Sequence, residues 1–301
     1  MSNLESILVV DVTPMGEGLI SAFIVLGEDK TAVVDPGPIN GYEKLKVRLE
    51  ELDVKPDYII PTHIHLDHGG ASCRLAKDYS GAKVYVHPRG ARHLIDPSKL
   101  WSASKTVLGP VADAYGQPVP CEDSVVFETR DGEKIDLGGL TVQFIHTPGH
   151  ASHHQSIWIP ETSVMLSGDS AGIILGRDAD KVFIPTTPPP FKPDFYVSSI
   201  EKMMGFSPQY IGPTHYGIYG DATKYLEDHL KQIKVWVDVA LEVARDGYTD
   251  PEEFLKRIKG VDRNAVFFLE SNNPIVQGSF IYTTAIGLMD YAVKTIKASQ
   301  A

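Results

Sequence analysis

The run Thr62-His63-Ile64-His65-Leu66-Asp67-His68 constrains this chain more than any other stretch. It follows the apolar triplet Tyr58-Ile59-Ile60, which reads as a buried strand, and precedes Gly69-Gly70, where a helix is predicted over 71–79. In an extended segment alternate side chains share a face, so His63 and His65 point the same way. The turn toward the glycine pair swings Asp67 and His68 to a second position. Imidazole nitrogens and carboxylate oxygens on backbone that does not fray are what a borderline-soft divalent metal requires. Two adjacent metal positions are the expected outcome.

Three further ligand candidates lie downstream, each after a predicted strand and beside small or turn-forming residues. They are His150 in Thr147-Pro148-Gly149-His150, Asp169 in Ser167-Gly168-Asp169, and His215 in Gly212-Pro213-Thr214-His215. Strand ends are where a rigid scaffold presents reactive groups. Ser170 and Tyr216 adjoin two of these ligands and are candidate substrate contacts, whereas His87, His93, His146 and His229 are read as core or surface residues.

Around these motifs the periodicity predicts short strands at 7–12, 21–26, 31–34, 83–87, 125–127, 134–135, 141–145, 156–159, 164–166 and 210–211. Helices are predicted at 42–52, 196–204, 222–245 and 281–297. The weakly periodic stretch 88–120 is read as an insertion or lid with helical turns, and the proline-dense stretch 185–193 as a loop. Trp101, Tyr115 and Phe191 either line an apolar pocket beneath these segments or pin them to the core. The chain thus divides into a strand-rich unit, 1–220, and a C-terminal helical extension, 221–301, packed on it.

With 43% hydrophobic and 22% charged residues, a chain of 301 residues can bury its own core without covalent staples. Its formal charge of -11 disfavours nucleic acid and leaves a small molecule as the expected partner. Cys73 and Cys121 lie in no Cys-x-x-Cys motif and are expected to be buried or incidental thiols rather than a disulfide framework. The N-terminal residues lack the basic start and apolar run of a signal peptide, and no apolar run is long enough to span a membrane. A cytoplasmic location is expected.

The order His-x-His-x-Asp-His, then His, Asp and His, resembles the pattern of the metallo-β-lactamase superfamily over residues 7–220. The resemblance implies an α/β fold, a four-layered αβ/βα sandwich with the metals in the cleft between its two sheets. It also implies that His63, His65 and His150 hold one divalent ion, that Asp67, His68 and His215 hold a second, and that Asp169 bridges them. Zinc is the expected metal, with iron and manganese as alternatives. Asp35, in Val34-Asp35-Pro36-Gly37, matches an aspartate that orients the metal-bearing loop in such proteins, and is equally an ordinary turn residue. His153 and His154 follow His150 much as in the glyoxalase II-type pattern, where support of a ligand is expected rather than ligation.

The activity implied is hydrolysis of a small ester, thioester or lactone by a metal-bridging hydroxide, in the manner of glyoxalase II or a lactonase. Asp67 is the residue expected to orient the nucleophile or shuttle its proton. A phosphodiesterase or phosphotriesterase at the same site, and a mononuclear-iron persulfide dioxygenase, are the alternatives. The flavodiiron relatives typically carry glutamate where this chain has His65. Lys224, Lys231 and Lys234 have the spacing of a solvated helix face and make no convincing glutathione site. The C-terminal helices are therefore read as a cap or as the surface of a homodimer.

Overall fold

Short runs of β-branched and aromatic residues, each too brief to bury itself, pair in a computed structural model that describes residues 3–176 and 180–300. The first sheet has six strands hydrogen-bonded in chain order: β1 (Ile7–Asp11), β2 (Ser21–Leu26), β3 (Thr31–Val34), β4 (Tyr58–Ile60), β5 (Lys83–Val86) and β6 (Val126–Glu128). β1 to β3 pair antiparallel, whereas β3 to β6 pair in parallel. Parallel neighbours need crossovers, and helices supply them. These are α1 (Tyr42–Glu51), then α2 (Leu66–Gly69) and α3 (Ser72–Asp78), then α4 (Pro88–Ile95), α5 (Ser98–Leu108) and α6 (Pro110–Tyr115).

The second sheet continues with β7 (Lys134–Asp136), β8 (Thr141–His146), β9 (Gln155–Ile159) and β10 (Val164–Leu166). A separate hairpin, β11 (Ile173–Leu175) and β12 (Val182–Ile184), precedes α7 (Pro193–Met204) and β13 (Tyr210–Gly212), which pairs in parallel with β10. The five-stranded order is β13-β10-β9-β8-β7. Phe23, Val25, Val34 and Ile60 of the first sheet meet Val142, Phe144, Ile157 and Leu166 of the second in one apolar layer. The opposite faces are closed by helices, with Leu45 and Leu49 of α1 and Leu75 of α3 fully buried. Helix, sheet, sheet and helix make the expected αβ/βα sandwich.

Beyond residue 220 the chain is helical: α8 (Ala222–Arg245), α9 (Pro251–Val261), α10 (Arg263–Leu269), a π-helix over Ile275–Tyr282, and α11 (Thr283–Gln300). Among the described residues no helix is long and apolar enough to cross a membrane.

One expectation is sharpened and another changes. The helical turns expected in the stretch 88–120 are three defined helices; Pro97, Gly109 and Pro110 break their hydrophobic pattern into pieces too short to delimit from the sequence. Cys73 and Cys121 are joined as a disulfide, because the chain leaving α6 returns to α3 and sets their Cα atoms 4.8 Å apart. They lie 48 positions apart, which is why sequence spacing alone did not suggest the pair.

Candidate metal centre

Several of the parallel strands end on or beside the expected site residues. Asp35 follows β3, His63 follows β4, Asp169 follows β10 and His215 follows β13. His150 closes the loop after β8. The seven residues expected as ligands, dispersed over some 150 positions, converge into three overlapping groups whose ligating atoms lie within 4.8 Å of one another. The groups are His63 with His65 and His150, His63 with His68 and Asp169, and Asp67 with His68 and His215.

The first group is tight. His63 Nε2 and His65 Nδ1 are 2.9 Å apart, and His150 Nε2 is 3.2 Å from the former and 3.0 Å from the latter. Three ring nitrogens tetrahedrally bound to zinc at its usual bond length would be about 3.3 Å apart, so this spacing fits a single ion. In the other groups Asp169 reaches both ways. Its Oδ2 is 3.4 Å from His150 Nε2, and its Oδ1 is 3.3 Å from His68 Nε2 and 3.5 Å from His215 Nε2. Asp67 Oδ2 lies 3.6 Å from His215 Nε2. His68 Nε2 and Asp169 Oδ1 are both buried without a hydrogen-bond partner. Buried polar atoms are rarely left unpaired, and a cation among these donors would satisfy both. The donor set therefore fits divalent metal.

The outer ring nitrogens of His68, His150 and His215 are anchored, which fixes the tautomer and aims the other nitrogen inward. His68 Nδ1 meets Asp35 Oδ2 at 3.0 Å, His150 Nδ1 meets the Thr186 carbonyl at 3.1 Å, and His215 Nδ1 meets the Leu19 carbonyl at 2.7 Å. Asp35 also accepts from Thr62 N at 2.6 Å, from Thr62 Oγ1 at 2.8 Å and from Thr214 Oγ1. One carboxylate thus ties the threonines preceding His63 and His215 to His68. His154 Nε2 accepts from the backbone N–H of Asp169 at 3.1 Å.

Electrostatics follow from this crowding. Burial, reinforced by neighbouring imidazoles, holds His63 and His65 well below the ordinary histidine value. Burial also lowers His150, partly opposed by Asp169. Burial would lower His68 too, but Asp169, Asp35 and Asp67 outweigh it and raise that ring well above the ordinary value. Burial would raise Asp169, yet His68, His150 and His215 hold it well below the usual carboxylate range.

The two suggested substrate contacts are placed elsewhere. Ser170 is buried behind the centre, donating to the Thr147 carbonyl at 2.6 Å and meeting His154 Nδ1 at 2.9 Å. The Tyr216 phenol has Asp11 and Glu17 as its charged neighbours. Neither lines the cleft over the ligands. Ser170 follows Asp169 within a 3-10 turn, Gly168–Ala171, and its hydroxyl is committed to the Thr147 carbonyl and His154 rather than to the cleft.

That cleft, about 200 Å³, has His65, Asp67, His150, Asp169 and His215 on its floor. Leu100, Ala103, Ser104, Val107 and Leu108 of α5, with Ile173, Pro188 and Pro189, form its walls. Ser279, Phe280 and Thr283 complete it from the C-terminal helices. The α5 set recurs at helical spacing and could have been read from the sequence; the contribution of the π-helix could not. Trp101 and Phe191 pack against or within the core rather than lining the cleft. Tyr115 is fully buried beside it, and burial, with Asp67 next in effect, raises its phenol well above the ordinary value.

The sequence profile described as the Metallo-beta-lactamase superfamily matches residues 15–215. A metallo-beta-lactamase fold-containing protein of Sulfurisphaera tokodaii is 32% identical over 229 residues, spanning 75% of this chain and 82% of that one. The crystal structure of an archaeal metallo-beta-lactamase superfamily protein from Sulfolobus tokodaii superposes with a TM-score of 0.67 at 30% identity, covering 76% of this chain and 86% of that one. A hydroxyacylglutathione hydrolase of Haemophilus influenzae is 29% identical over 145 residues, 47% of this chain and 61% of that protein. With the profile covering the candidate ligand positions from His63 to His215, the chain belongs to the metallo-beta-lactamase superfamily of metal-dependent hydrolases.

Proposed function

We propose that this chain hydrolyses a small ester, thioester or lactone with an apolar substituent, using two divalent ions, zinc foremost. One observation carries the reading: the cleft joins a floor of candidate metal-binding side chains to walls of Leu100, Val107, Leu108, Ile173 and Phe280, and none of the described residues lining it is Lys or Arg. Recognition of a phosphate-rich substrate ordinarily uses such cations. A neutral carbonyl compound fits this lining better. The hydrolase of Haemophilus influenzae similar to part of this chain supports a thioester among the substrates.

In this reading His63, His65 and His150 would hold one ion and Asp67, His68 and His215 the other, with Asp169 available to both. The ions would supply a water acidic enough to attack near neutral pH and a Lewis acid for the scissile carbonyl. The chain's own part is to fix the geometry. Asp35, Thr186 and Leu19 hold the outer nitrogens of three rings, so little reorganisation remains when substrate arrives. Asp67, with Oδ2 turned to His68 and His215, is the group placed to orient the nucleophile or take its proton. The apolar walls receive the substituent and exclude water from the reacting carbonyl.

The test combines metal analysis with a panel of p-nitrophenyl esters, thioesters, lactones and phosphodiesters. Two zinc ions per chain with turnover of carbonyl substrates is expected. Turnover confined to phosphodiesters, or one iron per chain with oxygen uptake from a persulfide, would overturn the reading. Asp67→Ala retaining both metals and full turnover would remove Asp67 from its role.

A further inference from the structure

Tyr115 ends α6 with no part of its side chain exposed, and its hydroxyl makes no hydrogen bond of normal geometry. A phenol stranded in the interior is costly unless something nearby completes it. The polar groups bearing on it are the Ser279 hydroxyl and the carboxylates of Asp67 and Asp169. α6 packs against both α2, which carries Asp67, and the π-helix, which carries Ser279. Asp35 sits in a cradle of donors, but Asp67 does not: its Oδ2 faces His68 Nε2 at 3.9 Å and His215 Nε2 at 3.6 Å. Tyr115 is the uncommitted donor beside it.

We infer that Tyr115 is a positioning residue for Asp67, its hydroxyl donating to the carboxylate while accepting from Ser279. This rests on the reading of Asp67 as a metal-holding group. Held through one oxygen, Asp67 keeps the other turned toward His68 and His215. Ser279 lines the cleft, so the chain from Ser279 through Tyr115 to Asp67 couples the C-terminal helices to the metal centre. The π-helix has a role in this arrangement, since such turns re-aim side chains and concentrate at functional sites.

The test is Tyr115→Phe, which keeps the ring and removes the donor, with zinc affinity read by competition against a chelating dye. The more weakly held of two zinc ions is expected to bind roughly 10- to 100-fold more weakly, the tighter one is unchanged, and kcat on p-nitrophenyl butyrate falls more than KM changes. Tyr42→Phe, which removes a phenol bonded to Asp78 rather than to a candidate ligand, is expected to leave zinc binding unaltered. Ser279→Ala is expected to weaken the same ion to a smaller degree, and supplies the test should the phenylalanine variant fail to fold. Unchanged zinc binding in Tyr115→Phe and Ser279→Ala, with zinc lost in Asp67→Ala, overturns this assignment alone. Retention of both ions in Asp67→Ala overturns the underlying reading with it.

Discussion

His68 Nδ1 and Asp35 Oδ2 meet at 3.0 Å with both side chains wholly excluded from solvent. The pair joins the metal-bearing turn to the end of β3, and the same carboxylate receives Thr62 and Thr214. Asp35 occupies a left-handed backbone conformation at φ 48°, which aspartate tolerates better than most residues. Removing Asp35 takes a partner at once from His68 Nδ1, the Thr62 amide and the Thr214 hydroxyl, all buried. Asp35→Ala is expected to cost about 3–5 kcal/mol, read as a lowered urea midpoint, and to reduce zinc content. A variant as stable as the parent with full zinc would show that Asp35 is only a turn residue.

The buried His229 on α8 makes stability depend on acidity away from the metal ligands. Its Nε2 meets the Tyr196 hydroxyl at 2.9 Å and its Nδ1 meets Gln232 Oε1 at 3.2 Å, an arrangement satisfied by the neutral ring. Burial lowers it from the ordinary 6.5 to about 4. At pH above 6.5 folded and unfolded chains are both neutral here, and the group contributes nothing to the pH dependence. Between 6.5 and 4 the unfolded chain takes up the proton first, so stability falls, by about 3 kcal/mol in all. His229→Gln is expected to flatten the urea midpoint over that range. Equal acid sensitivity in both proteins would assign the effect to other groups.

Much of the centre was legible before any coordinates because ligand chemistry demands particular side chains at strand ends. The runs through His63–His68, His150, Asp169 and His215 satisfy that demand without reference to the rest of the chain. What supports them was partly hidden. The Leu19 contact uses a backbone carbonyl, which any residue supplies, and Thr186 meets His150 through its carbonyl as well as its hydroxyl from within a proline-dense loop, so no motif marks either. The β11–β12 hairpin escaped notice because Ile173 to Leu175 and Val182 to Ile184 are brief apolar runs that periodicity cannot classify. Ser279 reaches the cleft only through a π-helix whose residues carry no amphipathic pattern of their own.

The Cys73–Cys121 bond closes a loop that contains α4, α5 and α6, and hence both the apolar cleft wall and Tyr115. Cross-linking a loop of 48 residues stabilises the fold by about 4 kcal/mol if loop-closure entropy is its main effect. Dithiothreitol, or Cys121→Ala, is expected to lower the melting temperature and to speed proteolysis within 88–120 ahead of the sheets. Identical melting with and without reductant, alongside two titratable thiols in the purified protein, would show that the pair contributes nothing under those conditions.

Gly287 marks where the C-terminal extension bears on the metal centre. A Cβ added there would fall 1.6 Å from the Thr187 carbonyl oxygen, a backbone atom with no flexible end to yield. The same seam is closed by Thr187 Oγ1 donating to the Thr284 carbonyl at 3.0 Å and Thr284 Oγ1 donating to the Pro185 carbonyl at 3.1 Å. Between them lies Thr186, whose carbonyl meets His150 Nδ1. Gly287→Ala must therefore move either α11 or the strand of chain that orients a ligand. The expected result is a loss of about 1–3 kcal/mol in stability from overpacking, together with weaker zinc binding. Gly260, exposed within α9, has open space around its Cβ position. Gly260→Ala is expected to be neutral or to stabilise by up to about 1 kcal/mol through helix propensity. If the two variants melt together and bind zinc alike, α11 does not press on the Thr186 segment and the C-terminal helices do not support His150.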